Sequence, residues 1–188
     1  NKNMMAEVKE ILKYNYHKLG FVDKRVELGF DCPMDLHCNY TRDQIMAALD
    51  YFNGAKKPAF REGVKCFADK KLDVFFITLN KSEKDFSPST LYEDYAINEK
   101  LFHWQSQSTT SVESITGKRY INHKKENSKI VLFVRENQKD NGITSSYTYL
   151  GLAEYKSHIG SKPISITWQL QEEIPSWMIN KANKSIVI

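Results

Sequence analysis

The sequence predicts an α+β fold: a helical lobe over residues 1–66, then a small β-barrel over residues 67–188, packed as one unit. Three observations lead there. Apolar residues in the first third recur at helical spacing. From Lys71 onward, short β-branched and aromatic runs are separated by turn residues. Strands and helices do not alternate as a parallel α/β sheet requires, so a closed or nearly closed sheet is expected. A chain of 188 residues buries roughly 70% of its unfolded surface, enough for a core without staples.

AEVKEILKYNYHKLGF places Val8, Ile11, Leu12, Tyr16 and Leu19 at helical spacing, with Gly20 as a stop. In YTRDQIMAALDYFNG, Thr41 is the expected N-cap, and Ile45, Leu49 and Phe52 form one stripe before Gly54. Both stripes are expected to face a core. LDVFFITLN reads as a buried strand and NKSEKDFSPST as a loop. KLFHWQSQS alternates, which puts Phe102 and Trp104 on one face and His103 on the other. VESITGKRYINHKKENS is expected to be a loop with a short turn of helix. KIVLFVREN, SYTYLGLAEY and PISITWQLQ are further strands, with the turn HIGSK before the last. The tail PSWMINKANKSIVI opens with Pro175 at a helix N1 position.

Composition narrows the function classes. A hydrophobic content of 41% with 12% aromatics excludes general disorder. No run approaches the ~20 apolar residues of a membrane span, and no signal-peptide pattern opens the chain, so no membrane partner is expected. Cys32, Cys38 and Cys66 are odd in number and lack metal-ligand spacing; they are expected to be structural thiols in a reducing cytoplasm, with no metal. The net charge of +4 comes mainly from lysine, since arginine occurs only at Arg25, Arg42, Arg61, Arg119 and Arg135. Lysine serves phosphate as a mobile point charge, so any nucleic-acid affinity should weaken with salt.

No phosphate-binding, zinc-protease or nucleophile-elbow motif is present, and no catalytic residues are expected. Asp73, Glu93 and Asp94 could form a nuclease-like site, although nothing in their spacing favours one. TLYEDYAINEKLFHWQSQSTTS, residues 90–111, is different in kind. It mixes aromatic rings with amides and acids, as a pocket that stacks a flat group and hydrogen-bonds its edge would. For an extracted base, Tyr92 and Trp104 could supply the faces, and Asp94 could accept from the exocyclic amine of cytosine. Gln105, Ser106 and Gln107 could contact the nucleotide's phosphate or fill the gap it leaves. The plain alternative makes Tyr92, Phe102 and Trp104 core and the glutamines a sheet surface. TGKRYINHKK gathers Lys118, Arg119, Lys124 and Lys125 around Tyr120 and His123, either as a DNA-contacting segment or as a solvated loop. Lys81 and Lys84 would extend the same basic face.

LFHWQSQSTTS, TGKRYINHK, YTYLGLAEY and GSKPISITWQL together resemble the C-terminal domain of SauUSI-type enzymes, the type IV, modification-dependent restriction enzymes of bacteria. The likeness runs from YTRDQI to EEIP. It implies a recognition domain for double-stranded DNA carrying 5-methylcytosine or 5-hydroxymethylcytosine. Cleavage would lie in a phospholipase D-type nuclease and a helicase-like ATPase of the same polypeptide. The domain itself would need no cofactor, whereas the full-length enzyme would need ATP and a divalent metal, and could form a homodimer. A more distant likeness is to SRA domains, base-flipping readers with a PUA-like barrel, in which a Tyr-acidic-acidic stretch is followed by a second stacking aromatic. By that pattern Tyr92 and Trp104 look like the stacking rings, either Glu93 or Asp94 looks like the edge-reading carboxylate, and Ser89 and Thr90 would line the methyl space. The expected function is base-flipping recognition of modified cytosine. A protein-docking module, a cryptic nuclease and an RNA-modification reader are the alternatives.

Overall fold

The computed structural model describes residues 2–18, 24–51, 62–81 and 94–183, with side chains described over 3–12 of the first helix and as far as 179 in the last. Leu19, Gly20, Phe52, Gly54 and most of the NKSEKDFSPST loop lie outside the described residues.

Helix α1 (Lys2–Lys18) forms where the periodicity predicts it. Its expected core-facing stripe is corrected, however: Val8, Ile11 and Leu12 are 43%, 60% and 63% exposed. Helix α2 (Arg42–Ala48) starts at a capping box. The Thr41 hydroxyl accepts from the Gln44 N–H at 3.3 Å, and the Gln44 side chain accepts from the Thr41 N–H at 2.8 Å. Its stripe is buried, with Ile45 and Leu49 packed under the sheet.

The strands are β1 (Asn39–Tyr40), β2 (Val64–Phe67), β3 (Leu72–Thr78), β4 (Tyr95–Ala96), β5 (Leu101–Gln105), β6 (Lys129–Arg135), β7 (Lys139–Asp140), β8 (Ile143–Thr144), β9 (Tyr147–Ile159) and β10 (Ser165–Leu170). Helix α3 (Ile115–Asn122) lies between β5 and β6, and α4 (Ser176–Asn183) follows β10. The main sheet runs β2-β3-β6-β9-β10-β5-β4, with β1 added alongside the first residues of β9. Among the described residues only β3 and β6 pair in parallel; the other ladders are antiparallel. A hairpin, β7–β8, stands apart. Because β1 and β2 are both woven into the sheet, the expected boundary between a helical lobe and a barrel at 66/67 falls inside β2.

The fold is therefore α+β and mostly sheet, but the sheet is open. The expected closure does not form among the described residues, because the outer side of β3 is taken by β2, leaving β2 and β4 as the edges. The sheet nevertheless curls strongly. Phe75 on β3 and Trp104 on β5 bring their ring centroids to 4.5 Å, although β6, β9 and β10 intervene. In a flat sheet those strands would stand roughly 19 Å apart, four steps of ~4.8 Å. Two register shifts let the long β9 bend: one opposite Leu132/Phe133, beside Gly151 at φ +82°, and one opposite Thr167/Trp168.

The curl creates two cores. Its inside holds Phe75, Phe102, Trp104, Ile166 and Trp168, plugged by Tyr120 of α3 and Met178 of α4. The outer face of β3, β6 and β9 is covered by residues 28–51, with Phe76, Phe133 and Tyr149 against Leu28, Met34 and Ile45. Strands β3 and β6 are thus buried on both faces, which is why they read as continuous apolar runs.

Candidate nucleic-acid interface

The alternation of β5 sets the inner surface. Phe102 and Trp104 point inward at 0% and 6% exposure, while Leu101, His103 and Gln105 are half-buried on the outer face. Trp104 packs against Phe75, Tyr120 at 5.5 Å and Trp168 at 6.4 Å. The structure thus gives Trp104 a core place, with neighbouring rings where a flipped base would have to stack. His103 faces away, as strand parity predicts, and stacks on Tyr95 at 4.6 Å with 15° between the planes.

Asp94 occupies the seam between the end of β3 and the start of β4. It is 4% exposed. One carboxylate oxygen accepts from the Lys81 ammonium at 2.6 Å and the other from the backbone N–H of Gln105 at 3.0 Å. Burial pushes its pKa up, and Lys81 and the Gln105 N–H pull against that shift. This carboxylate is positioned by β5 and neutralised by Lys81; to read a base edge, one of its oxygens must be released. Tyr92, Glu93, Ser89, Thr90 and Lys84, expected around the same pocket, lie outside the described residues.

The remaining predicted contacts are dispersed. Ser106 is buried, and its hydroxyl accepts from the Ile164 N–H at 2.9 Å and donates to the Gln107 carbonyl at 3.3 Å. The Gln107 side chain accepts from Thr110 at 3.1 Å, and the Gln105 side chain donates to Ser165 at 3.5 Å. TGKRYINHKK is a well-formed helix and turn rather than a loop, because Ser114 caps α3 by accepting from the Gly117 N–H at 3.0 Å. Gly117 is required there: a Cβ would meet the Ser111 carbonyl oxygen at 2.0 Å.

That helix splits the basic cluster into two groups. Tyr120 and His123 are buried at 1% and 3% exposure and work inside the fold rather than at a DNA-facing surface. Burial pushes the Tyr120 phenol up to about 12. The backbone N–H of Tyr155 donates to Nε2 of His123 at 3.0 Å, which leaves Nδ1–H to donate to the Ser128 carbonyl at 3.1 Å. That arrangement fits a neutral imidazole, and burial lowers its pKa. Arg119 donates to the fully buried Asp73 at 2.9 Å, whose carboxyl burial pushes up. Lys118 and Lys124 are exposed and pair with Glu113 at 3.3 Å and Glu154 at 2.7 Å.

Of the three acids considered for a nuclease-like site, Asp73 and Asp94 are each held by a separate cation and Glu93 is outside the described residues. Among the described residues, no group of three His, Cys, Asp or Glu is placed to hold a metal ion, and none of Cys32, Cys38 and Cys66 is in a disulfide. No helix is long and apolar enough to cross a membrane, over the same residues.

Two residues were missed by the sequence reading. Arg135, at the end of β6, and Trp177, on α4, line a cleft of about 550 Å³ beside the β7–β8 hairpin. Asn141-Gly142, with positive φ at both positions, was the available signal for that hairpin. No curated protein is matched by this sequence. Residues 34–182 match the family described as Domain of unknown function (DUF3427), and the chain belongs to that family.

Proposed function

We propose that this DUF3427 domain is the DNA-recognition part of a SauUSI-type modification-dependent restriction enzyme, binding double-stranded DNA at an extracted 5-methylcytosine or 5-hydroxymethylcytosine. The observation that carries the reading is Asp94. It is a buried carboxylate already oriented by a backbone N–H, beside the ends of β3 and β5 in a curled aromatic-lined sheet, directly following the segment that bears Tyr92 and Glu93. An incoming cytosine amine would replace Lys81 on Oδ2, and the freed ammonium would turn to the nucleotide's phosphate. Tyr92 then supplies the stacking face that Trp104, spent in the core, does not. The curl of the sheet supports an SRA-like, PUA-like architecture. The methyl group adds on the order of 1 kcal/mol by area, and stacking and edge contacts offset an unstacking cost of a few kcal/mol. On this reading the domain hydrolyses nothing and needs no cofactor. ATP and divalent metal serve the nuclease and ATPase parts of a bacterial cytoplasmic enzyme.

A second reading has its own observation. Met4, Met5, Val8, Ile11 and Leu12 of α1 are all exposed, which favours docking against another part of the enzyme or a second subunit. The two readings separate in one assay. Matched duplexes with one 5-methylcytosine or plain cytosine are titrated with wild type, Tyr92→Ala and Asp94→Asn, each first shown to be folded. Recognition predicts a methyl preference that both variants lose, with about tenfold weaker binding to the methylated duplex. Equal binding of both duplexes by all three proteins overturns recognition and leaves docking.

A further inference from the structure

Beyond the C-terminal ends of the parallel pair β3 and β6 lies the cleft of about 550 Å³, walled by the β7–β8 hairpin on one side and α4 on the other. Its volume is in the range that holds a small-molecule ligand. Two of its lining residues stand out.

Arg135 is nine-tenths buried, at 9% exposure. Its Nε donates to the Thr78 hydroxyl at 2.9 Å, Nη1 donates to the Ser145 carbonyl at 3.2 Å, and the guanidinium lies 4.4 Å from the Tyr147 ring centroid. All of these partners are neutral. Among the described residues no carboxylate reaches ion-pair distance of Arg135; Glu136 and Asp140 line the cleft but neither pairs with it. A second cation is close, because Arg42 lies 5.7 Å from the same Tyr147 ring and donates to its hydroxyl at 3.0 Å. A buried guanidinium whose partners are all neutral is costly unless an anion completes it. Trp177, on α4, lines the same cleft and is 45% exposed. Asn141, Thr144 and Ser146 add amide and hydroxyl groups that could bond a sugar or a base edge.

We propose that this cleft is a nucleotide subsite, in which Arg135 takes a phosphate ester and Trp177 stacks on the attached base. Arginine suits phosphate through its planar fork of donors, and indole faces bind bases of any sequence. The subsite stands independently of modified-cytosine reading, since neither residue addresses the cytosine C5 position. The two sites are neighbours nonetheless: Leu79, in the cleft lining, is two residues from Lys81, the partner of Asp94. If both hold, the cleft seats a nucleotide flanking the extracted one.

Intrinsic fluorescence tests this directly, because Trp104 and Trp168 are buried at 6% and 0% exposure and Trp177 is the exposed emitter. The full chain is titrated with deoxycytidine monophosphate, with deoxycytidine, and with an unmodified octathymidylate. Saturable quenching by the oligonucleotide alone assigns the subsite to a DNA strand; quenching by the monophosphate as well assigns it to nucleotides generally. The phosphate-free nucleoside should bind at least about tenfold more weakly than the monophosphate. The quench should vanish in Trp177→Phe, and folded Arg135→Gln should bind about tenfold more weakly. Asp140→Lys on the exposed hairpin leaves the core untouched and should tighten binding severalfold at low salt. The proposal is overturned by absence of quenching with both phosphorylated ligands, by equal binding with and without phosphate, by a quench that survives Trp177→Phe, or by an Asp140→Lys affinity unchanged at low salt.

Discussion

Trp104 sits where the inner face of β5 meets the rings of Phe75, Tyr120 and Trp168, so truncating it leaves a cavity in the main core. Trp104→Ala should cost about 3–5 kcal/mol in urea unfolding, and a loss below 1 kcal/mol would mean that the ring is not a core element. DNA assays on that variant therefore report folding as much as recognition. The seam pair behaves differently. Lys81→Met strands a buried Asp94 and should cost about 3–5 kcal/mol, most of which should return in Lys81→Met/Asp94→Leu. Additive losses in the double variant would contradict the coupling. His123 predicts a pH effect. Its folded pKa lies below 6.5, so the unfolded chain takes up the proton first, and stability falls as pH drops from 6.5 through the folded value. Asp73 and Asp94, raised above 3.8, act oppositely, favouring the folded state as pH falls toward 3.8. Comparing wild type with His123→Gln isolates the histidine: the stability lost between pH 7 and pH 5.5 should shrink in the variant. A His123 ring that titrates at or above 6.5 by NMR would refute it.

Among the elements, α2 owes its start to one side chain, and Thr41→Ala should cost about 1 kcal/mol by loss of the reciprocal cap. Helix α1 should behave oppositely. With Met4, Met5, Val8, Ile11 and Leu12 exposed, removing residues 1–12 should leave the thermal midpoint of the remaining chain within about 2 °C. A larger drop would show that α1 docks on the sheet. The contrast marks what a sequence reveals. Periodicity announces a helix in both stretches but says nothing of a partner, so the α1 stripe reads as core-facing although Val8, Ile11 and Leu12 are exposed. Strands β3, β5, β6, β9 and β10 were legible because β-branched and aromatic runs between turns have few other fates. The two-residue strands β1, β4, β7 and β8 carry too little pattern to show a period. Closure was misread for a non-local reason: β2 occupies the side of β3 that a closing strand would need. At the site, strand parity correctly separated His103 from Phe102 and Trp104. Burial of Trp104 depends on curvature that brings β3 across to β5, and no local window contains that information.

For the whole molecule, curvature is the organising feature. It gives the sheet an aromatic interior, a buried ion pair at Lys81–Asp94, and a cleft beyond the end of β3. A net charge of +4 supplies the long-range attraction, so affinity for any duplex should fall as salt rises from 50 to 200 mM, while the ratio between methylated and plain duplexes should hold. A ratio that collapses with salt would place the discrimination in backbone contacts rather than in a pocket. The central claim is that the seam reads a modified cytosine. Its most direct measurement is equilibrium binding of the wild-type chain to matched duplexes, one with a single 5-methylcytosine and one without, at fixed moderate salt. A preference of about fivefold or more, corresponding to roughly 1 kcal/mol at the methyl group, is the predicted result. Indistinguishable affinities would contradict it and reduce the domain to a basic surface with a docking helix.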